Sequence, residues 1–207
     1  SMSGESSGDT YIGGLIGYGK GSGRNLILKN CVNHASIPVG SNSDNSGGIA
    51  GYLISAKLES CINYGTVSGN AYSEENGSSW LGGISGSGSN TLFRGCGNYG
   101  SISTFFAGGI TPSQYGQNVV ESCLNVGKLT HSSDGYGIAL IRSGTASNSF
   151  YLSGTGSGIT GATAATETQM ASGEVAHALR DYFGQTLGVD SYPKPLTDSN
   201  RVYKVTV

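Results

Sequence analysis

Four cysteines, three histidines and the scattered carboxylates are the groups in this chain that can ligate a metal, attack a carbonyl or carry a proton. Cys31, Cys61, Cys96 and Cys123 contain no Cys-x-x-Cys pair, the spacing that closes a zinc site. His34, His131 and His177 sit in unrelated contexts. His131 and Asp134 bracket Ser132-Ser133 and mimic part of a hydrolytic triad. A triad, however, draws nucleophile, base and orienting group from separate elements, and four neighbours in one polar stretch read as a loop. Gly86-Ser87-Gly88-Ser89 does not link a strand to a helix, so it is not a nucleophile elbow. Gly19-Lys20-Gly21-Ser22-Gly23 lacks the Gly-Lys-Ser/Thr ending of a phosphate loop and reads as a turn.

Glycoside hydrolysis requires two carboxyl groups about 5–9.5 Å apart. Asp9, Asp44, Asp134, Asp181, Asp190 and Asp198 are dispersed, and Glu59 and Glu121 fall at equivalent repeat positions with Arg94 between them. That order predicts a solvated Glu–Arg–Glu ladder rather than an acid–base pair. Asn42 to Ser46 and Glu74-Glu75-Asn76 offer oxygens to a calcium ion, but without an EF-hand or nonapeptide spacing. No catalytic residue, metal ligand or cofactor is assigned. The remaining candidates are large aromatics in polar segments, Tyr72, Trp80, Phe105, Phe106 and Tyr136, with Asp44, Glu74 and Glu75 as acceptors beside them. Flat rings and fixed acceptors suit a sugar or a protein surface, and they also suit plain packing.

What positions these residues is a repeat. A Gly-Gly-apolar element recurs as Gly13-Gly14-Leu15, Gly47-Gly48-Ile49, Gly82-Gly83-Ile84 and Gly108-Gly109-Ile110, with a weaker copy at Tyr136-Gly137-Ile138. Each is followed by a block centred on cysteine, such as Leu58-Glu59-Ser60-Cys61-Ile62-Asn63-Tyr64-Gly65-Thr66-Val67, and the fifth has Ser149 in the cysteine slot. Three residues before Cys the side chain is apolar, and two before it is charged, the alternation of a half-buried strand. For both the apolar residue and Cys to face inward, the chain must bend between them. Asn33, Asn63, Asn98 and Asn125 are placed to bond along a corner, and Gly65, Gly100 and Gly127 suit turns of positive φ. The cysteines then form a ladder of small buried hydrophobes, with disulfides and metal binding as the other readings of the thiols.

A unit this short cannot bury its own apolar face, so the units must stack. The expected fold is all-β: a parallel β-solenoid of about five repeats with a small helix-containing C-terminal cap, the alternative being an antiparallel sandwich. Composition agrees. Glycine is 36 of 207 residues and charged residues are only 12%, as many short strands and tight turns require. A net charge of −2 with scattered Lys and Arg argues against nucleic acid, and no apolar stretch is long enough for a membrane-spanning helix. Residues 1–10 read as a cloning remnant and flexible leader, 11–152 as the solenoid and 153–165 as a linker. Residues 166–207 read as a cap leading to a following domain. In the cap, Thr166-Glu167-Thr168-Gln169 has the form of a capping box, and a helix is expected over about 173–183, with Val175, Leu179, Tyr182 and Phe183 on one face and Gly184 as its stop.

Gly-Gly-Ile-Ala-Gly-Tyr at 47–52 followed by Cys-Ile-Asn-Tyr-Gly-Thr-Val at 61–67 resembles the GLUG repeat. That repeat occurs in bacterial surface proteins and in the non-catalytic part of IgA-specific metallopeptidases. The resemblance covers about residues 11–152. It implies display on the bacterial cell surface as part of a longer protein, with adhesion or spacing as its role; a glycan or host surface protein is the partner that the aromatic and acceptor candidates above would suit. The His-Glu-x-x-His zinc motif of the peptidase is absent, so that activity does not carry over. A polysaccharide-acting β-helix enzyme and a pure spacer between domains are the competing readings.

Overall fold

The computed structural model describes residues 10–40, 45–69, 80–113, 116–131, 134–140 and 143–203. The chain coils through five parallel walls and returns to the first. Wall one holds Tyr11–Gly13, Asn45–Gly47, Trp80–Gly82, Phe106–Gly108 and Gly135–Tyr136; wall two holds Ile16–Lys20, Ala50–Ile54 and Ser85–Ser89. Wall three stacks Leu26–Lys29, Ala56–Glu59, Leu92–Arg94, Asn118–Glu121 and Gly144–Ser147. Wall four runs Val32–Asn33, Ile62–Asn63, Gly97–Asn98, Leu124–Asn125, Ser149–Leu152 and Ala162–Ala165. Wall five holds Ile37–Val39, Val67–Gly69, Ile102–Thr104 and Leu129–His131. Every pairing in these walls is parallel, and equivalent residues lie in register, for example Leu28 with Leu58 and Phe93 with Val120. The parallel β-solenoid is therefore the fold.

The glycine pairs are explained by space. A Cβ on the second glycine of each pair would lie 2.3 Å from the Asn63 side chain at Gly48, 2.3 Å from that of Asn98 at Gly83 and 2.5 Å from that of Asn125 at Gly109. Glycine there makes room for the asparagine column. The column bonds as expected: Asn33 Nδ2 donates to Asn63 Oδ1 (2.8 Å), Asn63 to Asn98 (2.9 Å) and Asn98 to Asn125 (2.8 Å). Each amide also donates to the carbonyl two residues ahead, so these buried groups are satisfied within the turn.

The bend before cysteine is a single left-handed residue. Asn30, Ser60, Gly95, Ser122 and Asn148 have φ of 54°, 53°, 59°, 53° and 43°, which turns wall three into wall four and points both flanking side chains inward. Leu58, Cys61, Phe93, Cys96, Val120 and Cys123 accordingly share the main core. A second core lies between walls five and one, from Val39, Val67, Leu81, Ile102, Ala107 and Leu129.

Three expectations change. Gly65, Gly100 and Gly127 are not among the residues of positive φ. They are glycine because a Cβ would lie 1.9–2.0 Å from the carbonyl oxygen of the residue one rung earlier. The segment expected to be a linker contributes the strand Ala162–Ala165, and Ile159 and Ala162 pack on the main core at its last rung. The cap helix is also shorter than its apolar pattern suggests. Glu167–Ala171, with the capping box from Thr166 and Gln169 in place, and Glu174–Ala178 are two five-residue helices. Phe183–Gly184 is a strand, antiparallel to Lys194–Pro195.

Candidate functional site

Wall one carries the aromatic candidates. Trp80 is in register with Phe106, and the rings stack at 4.2 Å between centroids and 8° between planes. Phe105 sets its edge on Phe106 at 4.7 Å and 83°. All three are half-buried, at the edge where the chain crosses from wall five back to wall one. One face of Trp80 is thus covered by Phe106, and the other is turned toward Asn45, its register partner on the preceding rung. The column reads Tyr11, Asn45, Trp80, Phe106.

Tyr136 does not join this stack. It pairs with Gly108, in the first-glycine column two residues further along the strand, and bridges to Ser157. Asp44, Tyr72, Glu74 and Glu75 lie outside the described residues. Among the residues that remain, the polar partner in register with Trp80 is Asn45, which the sequence offered only as one of the oxygens of a calcium group.

A second aromatic group was also missed. Tyr11, Tyr18 and Tyr52 form a triangle with centroids 5.3–5.9 Å apart, and Tyr18 is 49% exposed. The signal existed: Tyr18 and Tyr52 each follow the second glycine of their pair by the same interval. A third column, His34 on Tyr64 (4.9 Å, 8°) and Tyr64 on Tyr99 (5.0 Å, 25°), lines the turn after the asparagines. Burial raises the Tyr64 and Tyr99 phenols.

The charged column is rearranged relative to the expected ladder. Glu59 pairs with Lys29 (3.1 Å) and Lys57 (2.5 Å), whereas Arg94 pairs with Glu121 (2.9 Å). Lys57 lies two residues before Glu59 on the same face of the strand, and with Lys29 on the preceding rung it takes up both Glu59 carboxylate oxygens. Lys57 and Lys29 hold the Glu59 carboxyl below its ordinary range. Both glutamates are engaged by cations on an outer wall, the opposite of the raised, mutually facing carboxyl pair of a glycosidase.

The thiols are free and stacked along the inner side of the corner; Cys61, Cys96 and Cys123 are buried, and Cys31 is partly exposed. Each Sγ donates to the carbonyl two residues back: Cys31 to Lys29 (3.6 Å), Cys61 to Glu59 (3.6 Å), Cys96 to Arg94 (3.6 Å) and Cys123 to Glu121 (3.4 Å). In the fifth block Ser149 Oγ makes the same bond to Ser147 at 2.9 Å. The slot therefore selects a small side chain with one donor, which both Cys and Ser supply. Burial pushes up the thiols of Cys31 and Cys96, and the bond to Cys96 together with burial pushes up that of Cys61, so these are poor nucleophiles. Among the described residues no three His, Cys, Asp or Glu side chains gather into a metal-binding group. Comparison of the chain with protein-family models, with curated proteins and with solved structures finds no match.

Proposed function

We propose that this chain is a non-catalytic module of a bacterial surface protein, acting in adhesion or display and binding a glycan or host surface protein along the wall-one edge. The observation that carries the reading is the Trp80–Phe106–Phe105 group, half-buried at the edge between walls five and one, the part of the repeat that varies most in length. Solenoids commonly place their variable inserts on the binding side. Trp80 keeps one face free of Phe106, and Asn45 beside that face can both donate to and accept from a hydroxyl. The resemblance to GLUG repeats supports the surface setting and the absence of chemistry.

The test is a glycan array and a host-protein panel probed with the wild type, Trp80→Ala and Asn45→Ala, with folding verified by circular dichroism. The expected result is a wild-type signal reduced at least about tenfold in Trp80→Ala, the size of a central aromatic contact. A ligand bound equally well by both variants removes this site. Silence on both panels favours a spacer, and turnover of any polysaccharide favours the enzyme.

A further inference from the structure

The cap does not sit over the end of the coil. It lies along the outside of wall four, where Met170, Val175, Leu179 and Phe183 cover Ile62, Leu124 and Phe150, and where Tyr99 donates to the Pro193 carbonyl at 2.6 Å. This cover is incomplete at the first rung. Val32 occupies the position equivalent to the buried Ile62 and Leu124, yet remains 47% exposed. Two adjoining cavities flank it, of about 150 and 250 Å³, sharing Val32, Ile62, Pro195 and Thr197. Together they make a trough between the edge strand Val32–Asn33 and the cap segment 195–198, with Tyr182 and Leu196 completing its apolar lining.

Charge decides what the trough takes. Asp181 lines the smaller cavity and Asp198 the larger, and no Lys or Arg lines either. Among the described residues, the Asp198 carboxylate accepts from the Tyr64 hydroxyl, at 3.4 Å, and neither carboxylate forms an ion pair. His34 stands beside Asp198, stacked on Tyr64. The first nine residues of the chain are a poor match on composition, since their side chains include Glu5 and Asp9, no Lys or Arg and a single large apolar group, Met2.

We propose that this trough is a docking site for an extended basic–apolar peptide segment of a partner protein. The segment runs beside the open edge of wall four. Its apolar side chains rest on Val32 and Ile62, and the ammonium or guanidinium of a Lys or Arg reaches Asp198 or Asp181. Edge strands with unpaired backbone groups accept extended peptides in this way, with pockets for alternate side chains supplying selectivity. The site is separate from the wall-one edge and does not rest on the function proposed there.

An array of hexapeptides, each combining one apolar residue with Lys, Arg, Glu or Ser at varied spacing, is probed with the full chain. Fluorescence polarisation of the strongest peptide then compares wild type, Asp198→Asn, Asp181→Asn, Val32→Ser and Trp80→Ala. Binding confined to Lys- and Arg-containing peptides is expected. At least one Asp→Asn variant should bind about threefold more weakly, as an exposed ion pair dictates, and 0.5 M salt should weaken binding further. Val32→Ser should also weaken binding, while Trp80→Ala leaves it unchanged. An empty array, binding indifferent to the basic residue, or full affinity in both Asp→Asn variants and Val32→Ser overturns the proposal. All substituted side chains at the trough are exposed, so each variant should fold.

Discussion

Adding one methyl group at position 100 places it 1.9 Å from the carbonyl oxygen of Gly65, backbone against backbone, with nothing flexible to give way. Gly100→Ala should therefore destabilise the fold by about 1–3 kcal/mol, the usual range for overpacking a tight interior, and more if the rungs separate. The same column holds Ala35 in the first rung, where no described residue presents a carbonyl on that side. Ala35→Gly should shift stability by less than about 1 kcal/mol, the entropy term alone. Urea denaturation of both variants checks the pair; equal losses would show that rung spacing is not what excludes a side chain. This column also shows the limit of reading residues from sequence. The recurrence of glycine is visible, but recurrence does not distinguish a left-handed turn from a close approach between rungs. Only the position of the neighbouring carbonyl does. The asparagine column was legible because an amide carries both a donor and an acceptor and repeats at one place, which leaves few geometries other than a ladder.

At the scale of elements, the walls follow from periodicity and their lengths from local exceptions. Wall two stops after three strands. The next rung places Pro112 there, which has no N–H for the ladder, and lacks the third glycine found at positions 17, 51 and 86. At those positions a Cβ would strike wall-one backbone at 2.1–2.7 Å, so glycine is what lets the two walls approach there. The cap was legible in its start, where the Thr166 box is local chemistry, and illegible in its docking. Val175, Leu179 and Phe183 are fully buried, but what they meet is the outside of wall four, residues distant in sequence. Phe183 shares the apolar stripe yet belongs to a strand, because pairing with Pro195 wins over continuing a short helix with weak nucleation. Ending the chain at residue 165 should expose Ile62, Leu124 and Phe150 together. Loss of burial for Val175, Leu179 and Phe183 costs about 1.5–3 kcal/mol each. Light scattering and thermal unfolding are the measurements. Aggregation or a melting point lower by tens of degrees is expected, and a monomeric 1–165 chain with unchanged melting would show that the flank needs no cover.

For the whole molecule, the two ends of the coil are treated differently. At the fifth rung, Tyr151 takes the asparagine position, and the segment around Ile159 packs beneath it. At the first rung, Ile16, Leu26 and Cys31 are only partly buried, and Leu15, Ile27 and Val32 are 48%, 60% and 47% exposed. Among the described residues no strand pairs with the outer side of that rung. Such an edge invites association, and its residue choices oppose it. In wall five, Ile37 N–H donates to Thr66 O on the second rung, so the N–H of the next residue would point out of the open edge. That residue is Pro38, which has none. Lys20 and Lys29 add charge to the same rung. Pro38→Val restores the outward donor and a strand-favouring side chain without touching the bonds to the second rung. Sedimentation equilibrium should show self-association strengthened up to about tenfold, the worth of one to two edge hydrogen bonds across a symmetric contact. If Pro38→Val associates no more than the wild type across the accessible concentration range, the proline is not what keeps this edge apart. Protection would then rest on Lys20 and Lys29, and charge reversal at those two positions is the next measurement.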